Sequence, residues 1–169
     1  MTSPARVLIV FTVLAFFGLA GAHGQALTPG AIAPNFELPA PGGLTAQLSQ
    51  ERGKVVYVDF WASWCGPCRL SFPWMNEMHA KYGSQGLEII AINVDANPAD
   101  AKKFLDATPA KFRIAFDQKG ATPKAYGVKA MPTSYLVDRQ GALLAVHAGF
   151  SATKAGELEA EIKKALAQK

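Results

Sequence analysis

Cys65 and Cys68 are the only cysteines of the 169-residue chain, and they stand two residues apart in Trp64-Cys65-Gly66-Pro67-Cys68. Two thiols at the start of a helix have a specific chemical use. The unpaired backbone N–H groups of the first turn and the positive end of the helix dipole favour thiolate over thiol. A thiolate is the nucleophile of disulfide exchange, and one helical turn brings the second sulfur within bonding reach of the first. Cys65, nearer the helix start, is therefore the expected attacking thiol. Cys68 is expected to resolve the mixed disulfide. The same pair of soft ligands could instead hold Cu(I). The third ligand that such a site would want is not at hand: His79 lies on the same expected helix, about 16 Å along it.

Asp59 is the next residue that could do chemistry. It interrupts Val55-Val56-Tyr57-Val58-Asp59-Phe60-Trp61, a run that is otherwise apolar or aromatic. A carboxylate in such a place is costly unless it is used or paired. Burial raises its pKa, which suits a proton acceptor for Cys68. The alternative is a structural Asp satisfied by a backbone or lysine partner. Met131-Pro132-Thr133 precedes a strand; with a cis peptide bond, Met131 would turn its backbone N–H and C=O toward an extended partner, although most X–Pro bonds are trans.

The elements that must position these residues can be read from periodicity. Residues 54–61 form a strand without alternation, as expected when both faces are covered. A helix follows from Pro67 to Tyr82, with Leu70, Trp74, Met75, Met78 and Tyr82 as its apolar stripe and Pro73 as a kink. Residues 87–94 form a second central strand. Asn97-Pro98 opens a helix to about Thr108, with Phe104 and Leu105 inward, and residues 112–116 form a short strand. A short helix from Thr122 to Tyr126 stops near Gly127. Strands at 133–137 and 143–146 flank an Asp138–Gly141 turn, and Thr153 caps a last helix with Leu158, Ile162 and Leu166 inward. Ahead of these, residues 33–38 and 44–48 read as a hairpin around Pro41-Gly42-Gly43, and Ser49 as the cap of a helical turn through Arg52. The order implies an α/β fold with a mixed sheet between helices.

Arg6 is the only charged residue before His23, and an apolar run from Val7 to Ala20 leads into small residues. This is the pattern of a secretory signal peptide at 1–26, or of an uncleaved anchor that would tether the domain; residues 27–169 form one domain. Either way the expected location is exported, as in a periplasm, where disulfide chemistry is possible. The net charge is +4 with scattered Lys and Arg, so no nucleic-acid surface is expected.

Val58-Asp59-Phe60-Trp61-Ala62-Ser63-Trp64-Cys65-Gly66-Pro67-Cys68 resembles the thioredoxin active-site segment almost residue for residue, and Met131-Pro132-Thr133 falls where that family keeps its cis-proline. The lead-in Ala33-Pro34-Asn35-Phe36-Glu37-Leu38 and the extra αβ unit at 97–116 are similar to the TlpA branch of exported thioredoxin-like reductases. The resemblance implies the thioredoxin fold, with an N-terminal hairpin and an inserted αβ unit. It implies Cys65 as attacking thiol, Cys68 as resolving thiol and Asp59 as proton relay. It also implies a client groove that Trp61 and Trp64 frame and that Gly66, Pro67, Met131, Pro132 and Thr133 line. The redox-active disulfide is its own redox group, so neither added cofactor nor resident metal is expected.

The chain departs from the pattern in three places. Ser71 stands where cytochrome c maturation relatives often carry Glu, Ala91 replaces the lysine that neighbours the buried Asp in thioredoxin, and the loop Ala130-Met131-Pro132-Thr133 differs from theirs. These weaken a dedicated apocytochrome reductase. Peroxidase activity is not expected, because the lone Cys of the peroxide-reducing relatives has no counterpart. The Gly-Pro pair between the cysteines resembles reducing members. The expected function is reduction of disulfides in exported proteins, with electrons from a membrane thiol donor; copper proteins and cytochromes are conceivable clients. The alternatives are an oxidase that donates its disulfide and a copper-binding thiol module.

Overall fold

The computed structural model describes residues 27–168; the expected signal peptide lies outside them. Seven strands and four α-helices follow in order: β1 (Glu37–Pro39), β2 (Thr45–Gln47), β3 (Val55–Trp61), α1 (Gly66–Tyr82), β4 (Leu87–Asn93), α2 (Pro98–Ala107), β5 (Arg113–Phe116), α3 (Ala121–Tyr126), β6 (Thr133–Val137), β7 (Leu143–Ala148) and α4 (Ala152–Ala167). The main sheet has the order β5-β4-β3-β6-β7. β3, β4 and β5 run parallel, as their helical crossovers require, while β6 and β7 run antiparallel. β1 and β2 form the expected hairpin, a separate two-stranded sheet.

Every residue of β3 is buried, which explains why the strand is apolar or aromatic at every position but Asp59. Strand alternation sorts its side chains onto two faces. Val55, Tyr57 and Trp61 join a core built with α1, α2 and α4, which includes both cysteines. Val56, Val58 and Phe60 join a second core under the hairpin and α3. Tyr126 ties that second core together: its hydroxyl donates to the Pro34 carbonyl at 2.8 Å, and its own carbonyl accepts from Tyr135 at 2.7 Å. At the sheet end away from the cysteines, Glu51 is buried between Lys54 and Arg113. Burial works to raise its carboxyl, but hydrogen bonds and attraction from the two cations outweigh it and hold the group below the usual carboxylate range.

Several local expectations are corrected. Ser49 does not cap the turn at 48–51; its N–H bonds to the Asn35 side chain at 2.9 Å, and Gln47 occupies the cap position. The cap of α4 is Ser151, not Thr153, and the two hydroxyls bond to each other at 2.9 Å. Leu70 lies on the exposed side of α1, whose buried face is Cys68, Ser71, Phe72, Trp74, Met75 and Met78. α1 continues as one helix through Pro73. Asn97 caps α2 as expected, accepting from Ala99 N at 3.1 Å, and Gly127 ends α3 in the left-handed conformation. Among the described residues no helix is long and apolar enough to cross a membrane.

Candidate active site

The parallel strands β3 and β4 end on one side of the sheet, and the loop leaving β3 carries the cysteines into α1. Cys65 is the N-cap of α1, with extended backbone, and its sulfur accepts from the Cys68 N–H at 3.2 Å. Proline in the first helical turn suits a position whose N–H has no partner within the helix. Cys65 and Cys68 are joined as a disulfide. Both are buried, at 3% and 0% relative exposure, so the cap position distinguishes them more than exposure does. Gly66 and Pro67 are exposed beside them, and Trp64 is 72% exposed.

The loop before Cys65 is anchored by residues that the sequence reading did not single out. Asp95, buried just after β4, accepts from the Ser63 N–H at 2.9 Å, from the Ser63 hydroxyl at 3.0 Å and from the Asn93 amide at 2.8 Å. Asn93 in turn accepts from the Asp95 N–H at 3.1 Å. Arg69, on the first turn of α1, donates to the Ser63 carbonyl at 3.2 Å and lies 4.8 Å from the centre of the Phe104 ring. One carboxylate and one guanidinium thus hold the segment that presents Cys65. An acidic residue two positions beyond a strand that runs beside the motif strand was the available signal. It is a weak one, because loops are full of Asp.

Asp59 is 2% exposed and its Oδ2 has no hydrogen-bond partner. Strand alternation puts it on the face of Tyr57 and Trp61, the face packed against α1 and the cysteines. Its register partner on β4 is Ala91. Burial alone pushes its carboxyl well above the ordinary range. The alternative of an Asp paired with lysine or backbone therefore does not describe this site.

Thr133 pairs with Phe60 of β3, which brings Met131 and Pro132 to the same end of the sheet as the cysteine loop. The Met131–Pro132 peptide bond is cis. Pro132 is buried and its carbonyl accepts from Gly149 N at 2.7 Å; the Thr133 hydroxyl bonds to the Ala130 carbonyl at 2.7 Å. Met131 is half-buried and packs against both cores. Trp61 corrects an expectation: it is fully buried, packed edge-on against Phe72 and tilted against Phe104 with ring centres at 4.9 and 4.7 Å, and frames no groove. Ser71 does not replace the expected acid with another reactive group; its hydroxyl bonds to the Cys68 carbonyl at 3.1 Å.

A cysteine pair capping a helix over the end of this mixed sheet defines a thioredoxin-fold thiol–disulfide protein. The chain belongs to the redoxin family, whose model matches residues 28–166. It is 35% identical over 147 residues to the thiol-disulfide oxidoreductase ResA of Bacillus cereus, covering 80% of this chain and 85% of that one. It is 38% identical over 116 residues to ResA of Geobacillus thermodenitrificans, covering 69% and 67%. A crystal structure from Chlorobium tepidum, provisionally named thiol:disulfide interchange protein DsbE, is 54% identical with a TM-score of 0.82, covering 83% of this chain and 99% of that chain.

Proposed function

We propose that this protein is an exported thiol–disulfide oxidoreductase that reduces disulfides of client proteins. The observation that carries the reading is the Cys65 sulfur at the N-cap of α1, with a buried, unpartnered Asp59 on the same sheet face. In the dithiol form, Cys65 as thiolate attacks a client disulfide, and the client's first sulfur leaves as thiolate. Cys68 gives its proton to Asp59 and attacks Cys65 Sγ. The bond between Cys65 and the client breaks, the second client sulfur leaves, and the Cys65–Cys68 disulfide remains. Trp64, Gly66 and Pro67 form one lip of the client surface. Met131, backed by the buried Pro132 and Thr133, forms the other, where no backbone hydrogen bond within the described residues occupies the Met131 N–H or C=O. An extended client segment can pair there as an added strand.

The reductive direction rests on the Gly66-Pro67 dipeptide, as in reducing relatives. The relatives named ResA and DsbE agree with thiol–disulfide chemistry on proteins. The N-terminal pattern supports export, with a membrane thiol donor returning the pair to the dithiol form. The test is turnover of an oxidised protein such as insulin with dithiothreitol as reductant. The parent chain accelerates its reduction; Cys65→Ser abolishes the acceleration. Equal rates for both would overturn the reading.

A further inference from the structure

The client covers the cysteine end of the sheet during resolution, and Cys68 is fully buried beneath it. A proton taken up by Asp59 at that moment needs another way out. Such a way is laid across the sheet. Asp59 on β3 is the register partner of Ser134 on β6, and Ser134 is the partner of His147 on β7. Directly opposed residues share a face, with Cβ atoms about 4.5–5.5 Å apart. The three side chains therefore form one row on the face covered by α1 and α4.

The row is polar from core to surface. Tyr57, two residues before Asp59 and on the same face, donates its hydroxyl to Ser134 Oγ at 2.7 Å. Tyr57 and Ser134 are both buried. Burial pushes the Tyr57 hydroxyl far up, and the nearby carboxylates of Asp59 and Glu161 add to the effect, so Tyr57 stays protonated throughout. At the outer end His147 Nε2 bonds to Glu161 of α4 at 2.8 Å. His147 lines a surface cavity of about 280 Å³ together with Lys154, Glu157 and Glu161. Those three, all from α4, are the charged groups that face it there. Asp59 Oδ2 has no hydrogen-bond partner, and no side-chain hydrogen bond joins Ser134 to His147 among the described residues, so a side-chain rotation or one water at each place is the link that the row requires.

We propose that Asp59, Ser134 and His147, assisted by Tyr57 and Glu161, form a proton exit through the back of the sheet. The proposal rests on Asp59 accepting the Cys68 proton. Cys68 thiol gives its proton to the Asp59 carboxylate, and Cys68 thiolate forms the bond to Cys65 Sγ. The client sulfur departs with the electron pair. While the client still covers the site and before its sulfur departs, Asp59 passes the proton to the Ser134 hydroxyl, which passes its own to the His147 imidazole, and His147 releases it into the cavity, so a blocked exit holds back release. Ser134 and His147 are positioning residues, since neither touches the reacting sulfurs.

The experiment follows release from a Cys65 mixed disulfide, formed in the full chain either with a fluorescent peptide long enough to cover the site or with small thionitrobenzoate. With the peptide, His147→Ala and Ser134→Ala slow release about ten-fold, a fraction of the roughly 10²–10⁴-fold available to acid–base catalysis. Added imidazole restores His147→Ala. With thionitrobenzoate, which leaves the front open, both variants release at the parent rate. Parent-rate peptide release by His147→Ala, or slowing that imidazole does not rescue, overturns the exit. His147→Gln, which keeps a polar side chain toward Glu161, is the second variant and is expected to be slow as well. Asp59→Asn separates the two claims: if it too releases peptide at the parent rate, the underlying proton-acceptor reading fails. If it is slow while His147→Ala is not, only the exit fails.

Discussion

Asp59 on β3 lies opposite Ala91 on β4, so the carboxyl behind the cysteine pair faces a methyl group where a countercharge could have stood. Nothing offsets its desolvation, and its proton affinity is raised. The consequence for stability has a definite sign. The unfolded carboxyl titrates near about 3.9 and the folded one well above it. Below the unfolded value both states are protonated and Asp59 costs nothing. As pH rises toward the folded value the unfolded state gains by ionising, and stability falls. Asp59→Asn removes that loss. The difference in Tm between variant and parent, both in the disulfide form, grows in the variant's favour from pH 4 upward. A difference that is flat with pH would contradict the raised affinity.

Cys68→Ser accumulates a mixed disulfide with an oxidised client, held through Cys65. Cys65→Ser accumulates none. Non-reducing gels and mass spectrometry of the trapped species check this, and trapping through Cys68 alone would reverse the assignment.

Asp95→Ala leaves the Ser63 N–H and hydroxyl and the Asn93 amide without their acceptor. Hydrogen bonds to a charged group are worth about 1.5–3 kcal/mol each. The loss expected from urea denaturation is therefore at least about 2 kcal/mol, with slower attack by Cys65 because its loop is no longer fixed.

Trp61 and Trp64 separate stability from client binding. Trp61→Ala empties a site against Phe72 and Phe104 and costs about 3–5 kcal/mol. Trp64→Ala, at an exposed position, changes stability by less than about 0.5 kcal/mol. It raises KM for a protein client while leaving reaction with a small disulfide unchanged. Denaturation paired with kinetics on both substrates checks the contrast.

That contrast also shows where the sequence was legible. The cysteine spacing, the buried β3 run, the helix openings at Asn97-Pro98 and the Gly127 stop are local signals, and each corresponds to an observed element. The groove role of Trp61 follows from the resemblance and not from the strand, whose alternation through Asp59 points the other way. Counting by twos from Tyr57 would have sent Trp61 under α1. The three- and four-residue rhythm that points Leu70 inward is satisfied equally well by a neighbouring stripe through Phe72 and Met75. Asp95 and the row through Ser134 to His147 depend on which strands become neighbours and in what register, and no single segment carries that information.

The reduction potential of the Cys65–Cys68 pair, equilibrated against dithiothreitol or glutathione buffers, tests the reductase most directly. A value near that of thioredoxin, about −270 mV, is the expected result; a value near about −120 mV, where the dithiol form is the stable one, would make the protein an oxidant and contradict the account.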